Sequence, residues 1–269
     1  MRGLVLEGGG ARGAYQIGVV KSLYEHGYSF DGFVGTSIGS INAAMLAQGD
    51  FEKALELWAS ISMEQIFHED ELPIVELVDF KDFKLPIKKV LEKSKSALSK
   101  VINNKGLCTK KMKAFLERYI DEDKIRSSGK DFGLVAISLS ERKAYELMLE
   151  DIPHGQLINY IMASSSLPGF HLETIDGNKF MDGGVYNNCP SNLLLNKGYD
   201  DIIAVRISKI RSLVWTTDPA IQVISPSEDL GRLLQFTTES CVSKINLGYK
   251  DGLNYVENIR KNDAFKKHD

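Results

Sequence analysis

Cysteine is scarce in this chain, and its scarcity excludes two chemistries at once. Cys108, Cys189 and Cys241 are the only three, too few and too scattered for a disulfide framework or a zinc site. They are expected to be reduced thiols, as in a cytoplasmic protein. Long hydrophobic runs are also missing: nothing approaches the ~18 consecutive apolar residues of a membrane span. The opening Met1-Arg2-Gly3-Leu4-Val5-Leu6-Glu7 turns to glycine too soon for a signal-peptide core. Any membrane contact is therefore expected to be peripheral. Excess charge of one sign is absent too, and a net charge of −3 leaves no basic footprint for nucleic acid.

What is present is ordinary globular usage, 43% hydrophobic and 26% charged, which excludes disorder. A length of 269 residues without repeats or a low-complexity linker suits one large α/β domain. The pattern alternates short strands and helices. Strands are expected over Leu4–Leu6, Gly32–Thr36, Phe132–Leu139, Ala144–Leu149, Asp201–Ile207 and Ala220–Ile224. Helices are expected over Ala14–His26, Ile38–Ala47 and most of Leu230–Ile259. Asp176-Gly177 between Leu172–Ile175 and Lys179–Met181 is a hairpin signal. Strands separated by helices imply a mainly parallel sheet covered on both faces. Residues 79–113 are lysine-rich, with Ile87, Val90, Leu91, Leu98 and Val101 forming an apolar stripe behind Pro86. That pattern suits either a peripheral helix with a solvated face or a lid or membrane-surface segment.

The sharpest local motif is Gly35-Thr36-Ser37-Ile38-Gly39, between an expected strand and an expected helix. A nucleophile elbow needs this context, because small neighbours let the backbones approach while the serine points out at a helix N-terminus. The same residues also suit a tight turn with a capping serine. Gly8-Gly9-Gly10-Ala11-Arg12-Gly13, following the first strand, can present consecutive amides to an anion, with Arg12 holding the loop. Gly8, Gly10 and Gly13 fit a dinucleotide fingerprint as well. That reading wants an acid after the second strand, where Ser37 stands instead, and no Gly-Lys-Ser/Thr follows to make a P-loop.

A serine nucleophile needs a base. Five histidines are available, and only His171 is placed to serve: His26 ends a helix, His68 lies in an acidic loop, His154 is at a helix start, and His268 is in the tail. The Ser…Asp/Glu…His order of α/β-hydrolases is not met. Asp182-Gly183-Gly184, after a strand-like run, offers a carboxylate that is either a turn residue or a base acting directly.

Together these motifs resemble the patatin-like phospholipase family in its bacterial single-domain form. Gly8–Gly13, Gly35–Gly39 and Asp182–Gly184 occur in the family's order, with family-like stretches at Ala163–Phe170 and Val185–Pro190. The likeness covers about 1–207, and 229–259 looks like the usual C-terminal helices. The resemblance implies a single three-layer α/β/α domain over residues 1–269 and a Ser–Asp dyad. Ser37 is then the nucleophile and Asp182 the base. The amides of Gly8, Gly9, Gly10 and Ile38 form the oxyanion hole, with Arg12, Gly13, Gly35, Gly39, Gly183 and Gly184 in support. No metal or other cofactor is implied. The expected substrate is a lipid or related acyl ester. A small-ester carboxylesterase or thioesterase with the same dyad, and a non-catalytic lipid-binding protein, are the alternatives.

Overall fold

The structure is a computed structural model describing residues 1–77, 106–207, 213–214 and 216–266. The apolar stripe from Ile87 to Val101 lies outside the described residues. In chain order the strands are β1 (Arg2–Leu6), β2 (Gly32–Thr36), β3 (Asp131–Ser138), β4 (Lys143–Met148), β5 (Glu173–Ile175), β6 (Asn178–Asp182), β7 (Asp201–Val205) and β8 (Ile221–Ile224). The described helices are α1 (Gly13–Glu25), α2 (Ile38–Ala47), α3 (Phe51–Ser60), α4 (Met63–Ile66), α5 (Leu72–Leu77), α6 (Lys110–Tyr119), α7 (Glu122–Ser127), α8 (Leu157–Ser164), α9 (Ser191–Asn196) and α10 (Thr238–Lys266).

The strands form one sheet in which β3-β2-β1-β7-β8 run parallel, and β4, β5 and β6 add antiparallel pairings. Alternation along each strand divides the core. Leu4, Leu6, Phe33, Phe132, Leu134, Ile203 and Val205 pack on one face, beneath α1, α2, α3, α8 and α10. Val5, Val34, Val135, Ile202 and Ala204 pack on the other, against Leu193 and Leu194 of α9 and against Tyr199. The expected mainly parallel α/β/α sandwich is therefore present. Asp176 and Gly177 both take positive φ, 49° and 79°, as a tight two-residue hairpin turn requires.

Most of Leu230–Ile259 is helical, as its pattern implies, with α10 starting at Thr238. Before it, Leu230, Leu234 and Phe236 are also buried. There Gly231 has φ 73°, and the Leu233 carbonyl accepts the Ala11 N–H at 2.7 Å instead of a helical amide. The segment is a loop that braces the glycine-rich turn.

Register at β3 sets up the site. β4 pairs with Gly133–Ser138 and so occupies one edge of β3. β2 pairs with Asp131–Val135 and β6 with Ala136–Ser138, so both must use the opposite edge. β2 is parallel to β3 and β6 antiparallel, and they meet head to head: Thr36 lies opposite Val135, and Asp182 opposite Ala136. The residue after β2 and the last residue of β6 are thereby brought together across 145 positions of sequence.

Candidate active site

Ser37 occupies the turn between β2 and α2 with φ 57° and ψ −129°, a conformation that a β-carbon disfavours. Its backbone is fixed from both sides. The N–H donates to Ser164 Oγ at 2.9 Å, and the carbonyl accepts the Ser40 N–H at 2.9 Å and Ser40 Oγ at 2.7 Å. Gly35 and Gly39 are needed for close approach: a Cβ on Gly35 would stand 2.3 Å from the Gly39 carbonyl oxygen, and one on Gly39 would stand 2.0 Å from that of Leu6. The result is a strained serine at the N-terminus of a buried helix.

Asp182 is buried at 3% exposure. Its Oδ1 accepts the Gly184 N–H at 2.7 Å, and its own N–H donates to the Ser166 carbonyl at 2.8 Å. Oδ2 is buried without a hydrogen-bond partner. Burial pushes the carboxyl up to about 6, against the lowering pull of the Ser37 hydroxyl and the Gly184 amide. The hydroxyl acts on the carboxyl from close by, although Oδ2 makes no hydrogen bond of ordinary geometry. Gly183 fits against the sheet, where a Cβ would lie 2.3 Å from the Val135 carbonyl oxygen.

The glycine-rich turn packs beside the elbow; a Cβ on Gly8 would approach Ser37 Cβ at 3.1 Å. Of the four expected donors, Gly8 is a correction. Its N–H donates to the Asn188 carbonyl at 3.1 Å while Asn188 Nδ2 returns a bond to the Gly8 carbonyl at 3.0 Å, so its amide is already engaged. Among the described residues the amides of Gly9, Gly10 and Ile38 have no such acceptor. Gly10 has φ 55°, and a Cβ there would stand 2.2 Å from the Leu233 carbonyl oxygen. Arg12 Nε donates to the Gly231 carbonyl at 3.0 Å, holding the turn from outside, and Gly13 opens α1 close to Ile38.

His171 is exposed, and its ring makes no hydrogen bond to Ser37 or Asp182; its backbone N–H pairs with the Leu107 carbonyl at 2.8 Å. Sequence reasoning missed the residues that stitch the site together. Thr36 Oγ1 donates to the Asn187 carbonyl at 2.8 Å, so Asn187 and Asn188 tie the segment after Asp182 to both the elbow and the glycine turn. Ser164 and Ser166, on either side of Ser165, hold the backbones of Ser37 and Asp182. The only sequence signal of Ser164, Ser166, Asn187 and Asn188 was membership of the Ala163–Phe170 and Val185–Pro190 stretches, whereas Thr36 lies in the elbow motif itself. Among the described residues no group of His, Cys, Asp and Glu is arranged to hold a metal ion.

Comparison with known proteins identifies the family. Residues 4–195 match the model of the family described as patatin-like phospholipase. The human patatin-like phospholipase domain-containing protein 6 is 28% identical over 211 residues, which cover 76% of this chain and 13% of that protein. Lysophospholipase NTE1 of Mycosarcoma maydis is 27% identical over 215 residues, 77% of this chain and 10% of that protein. The chain thus spans only a small part of these relatives. In fold it is similar to VipD from Legionella pneumophila, with a TM-score of 0.59 at 15% identity over 96% of this chain and 67% of that one. By the match over most of its length, this chain belongs to the patatin-like phospholipase family.

Proposed function

We propose that the protein is a lipid acyl hydrolase that cleaves carboxylic esters through an acyl-enzyme on Ser37, with Asp182 as the general base. One observation carries the reading: a buried carboxylate oxygen without a partner, Asp182 Oδ2, adjacent to a serine held in a strained elbow. Oδ1 is occupied by the Gly184 amide, which leaves Oδ2 as the proton acceptor. Ser37 Oγ attacks the ester carbonyl carbon as Asp182 takes its proton. The amides of Gly9, Gly10 and Ile38 receive the negative charge that develops on the carbonyl oxygen. Collapse breaks the C–O bond, and the leaving alcohol recovers the proton from Asp182. Water then attacks the acyl-enzyme with Asp182 again as base, which releases the acid and restores Ser37. Family membership supports a lipid ester as substrate.

The test is hydrolysis of p-nitrophenyl esters of increasing acyl length by wild type, Ser37→Ala and Asp182→Asn. Both variants are expected to lose at least about 10⁴-fold in kcat, with wild type favouring long chains or aggregated substrate. Full activity in Asp182→Asn would remove the dyad. A preference for the shortest esters would make the enzyme a small-ester hydrolase. Vesicle binding by a wild type that turns over nothing would leave a binding protein.

A further inference from the structure

We infer that Glu7 is a positioning residue for the oxyanion turn: its carboxylate replaces a main-chain acceptor where β1 leaves the sheet, and so fixes the backbone of Gly8–Ala11. This rests on reading that turn as the oxyanion hole. Glu7 is 1% exposed and stands between the last residue of β1 and the first glycine. Its N–H continues the β1–β7 ladder by donating to the Val205 carbonyl at 3.2 Å. In a parallel ladder the next bond runs from the Ile207 N–H to the Glu7 carbonyl. Here that carbonyl accepts Gln16 Nε2 at 2.7 Å, and the Ile207 N–H goes to Glu7 Oε2 at 2.6 Å. The other carboxylate oxygen, Oε1, accepts Arg206 Nη2 at 2.9 Å and Nε at 3.3 Å.

The substitution has two consequences. The main chain is released to turn away from the sheet at Gly8, while the side chain still holds the end of β7 alongside it. The Ile207 side chain is thereby kept on the glycine turn, where a Cβ on Gly9 would meet Ile207 Cδ1 at 2.9 Å. The freed Glu7 carbonyl is also tied inward, because Gln16 Oε1 accepts Asn42 Nδ2 at 2.9 Å and Asn42 Oδ1 accepts Trp58 Nε1 at 2.8 Å. The turn is glycine-rich and has the largest conformational entropy to lose, so donors aimed at a transition state need such bracing.

Removing Glu7 alone also takes its carboxylate from the partly buried Arg206, so the test is made in an Arg206→Met background. There, Glu7→Gln keeps an acceptor for the Ile207 amide and Glu7→Leu removes it. Two readouts are compared: hydrogen exchange of the Gly8 and Ala11 amides, and kcat and KM on a p-nitrophenyl ester. Both are taken where thermal melts show each variant folded. With leucine, exchange is expected to quicken at least about tenfold and kcat to fall about 10²-fold at nearly constant KM, the effect of a small misplacement. With glutamine, both should stay near the background. Equal exchange and equal kcat in the two variants would overturn the inference and leave Glu7 a purely structural residue. The exchange readout needs no turnover. If wild type shows no Ser37-dependent hydrolysis, the catalytic reading fails, and the bracing of the turn is still decided.

Discussion

Two opposed demands meet on Asp182. A base must be ionised to accept a proton, yet burial disfavours the ion and pushes the carboxyl from 3.8 up to about 6. Below that pH the protonated acid cannot take the Ser37 proton. The profile of kcat/KM against pH is therefore expected to rise through a single limb near 6, measured on a neutral ester so that substrate does not titrate. A limb near 4 would mean that the carboxyl is hydrated during turnover. The elbow was legible at this scale, because Gly35, Ser37 and Gly39 are a local pattern whose steric reason is local. The placement of Asp182 beside it was not, since Asp-Gly-Gly is equally a turn sequence. Gly8 was misread for a related reason: three successive glycines look alike in sequence, and only the Asn188 carbonyl distinguishes the engaged amide from its neighbours.

Elements bring these residues together by meeting at their ends. β2 and β6 approach each other along one edge of β3, and neither hydrophobic alternation nor turn chemistry encodes that pairing. The elements themselves were largely legible. Gly32–Thr36 and Ile38–Ala47 match their expected bounds, and the Asp176-Gly177 turn followed from the need for positive φ. Most of Leu230–Ile259 is the helix its pattern implies, and residues 230–237 form a loop that reaches the glycine turn. A second element-level feature is the contact of α1 with α10. A Cβ on Gly18 would stand 2.0 Å from the Ile245 carbonyl oxygen, and one on Gly248 2.0 Å from that of Tyr15. Both obstacles are backbone, which cannot rotate aside. Alanine gains about 1 kcal/mol of helix propensity over glycine, but separating two packed helices costs more. Gly18→Ala and Gly248→Ala are each expected to destabilise by about 1–3 kcal/mol net. Gly252→Ala, whose nearest obstacles lie at 3.0–3.3 Å, should cost less. Urea unfolding of the three variants checks the order; equal midpoints would mean that the helices shift apart freely.

Across the whole molecule, the burial of Asp182 at the proposed active site costs stability in a pH-dependent way. Asp182 binds a proton more tightly folded than unfolded, because its folded pKa is raised from 3.8 to about 6. Below pH 3.8 the carboxyl is protonated in both states and costs nothing. As pH rises through 3.8 the unfolded chain ionises first, and stability falls until the folded group ionises too, near 6. Above that the loss is constant, at up to about 3 kcal/mol for a shift of roughly two units. The neutral side chain of Asp182→Asn keeps an oxygen for the Gly184 amide and escapes this loss. Asp182→Asn is therefore expected to be more stable than wild type at pH 7–8, and the difference should shrink between pH 6 and 4. Denaturant titrations of both proteins across that range provide the check, since other titrating groups are common to both and cancel. A pH-independent difference would place its origin in packing. A variant less stable than wild type at pH 8 would mean that the ionised carboxylate is better solvated in the fold than its burial implies, and the same finding would move the expected activity limb downward.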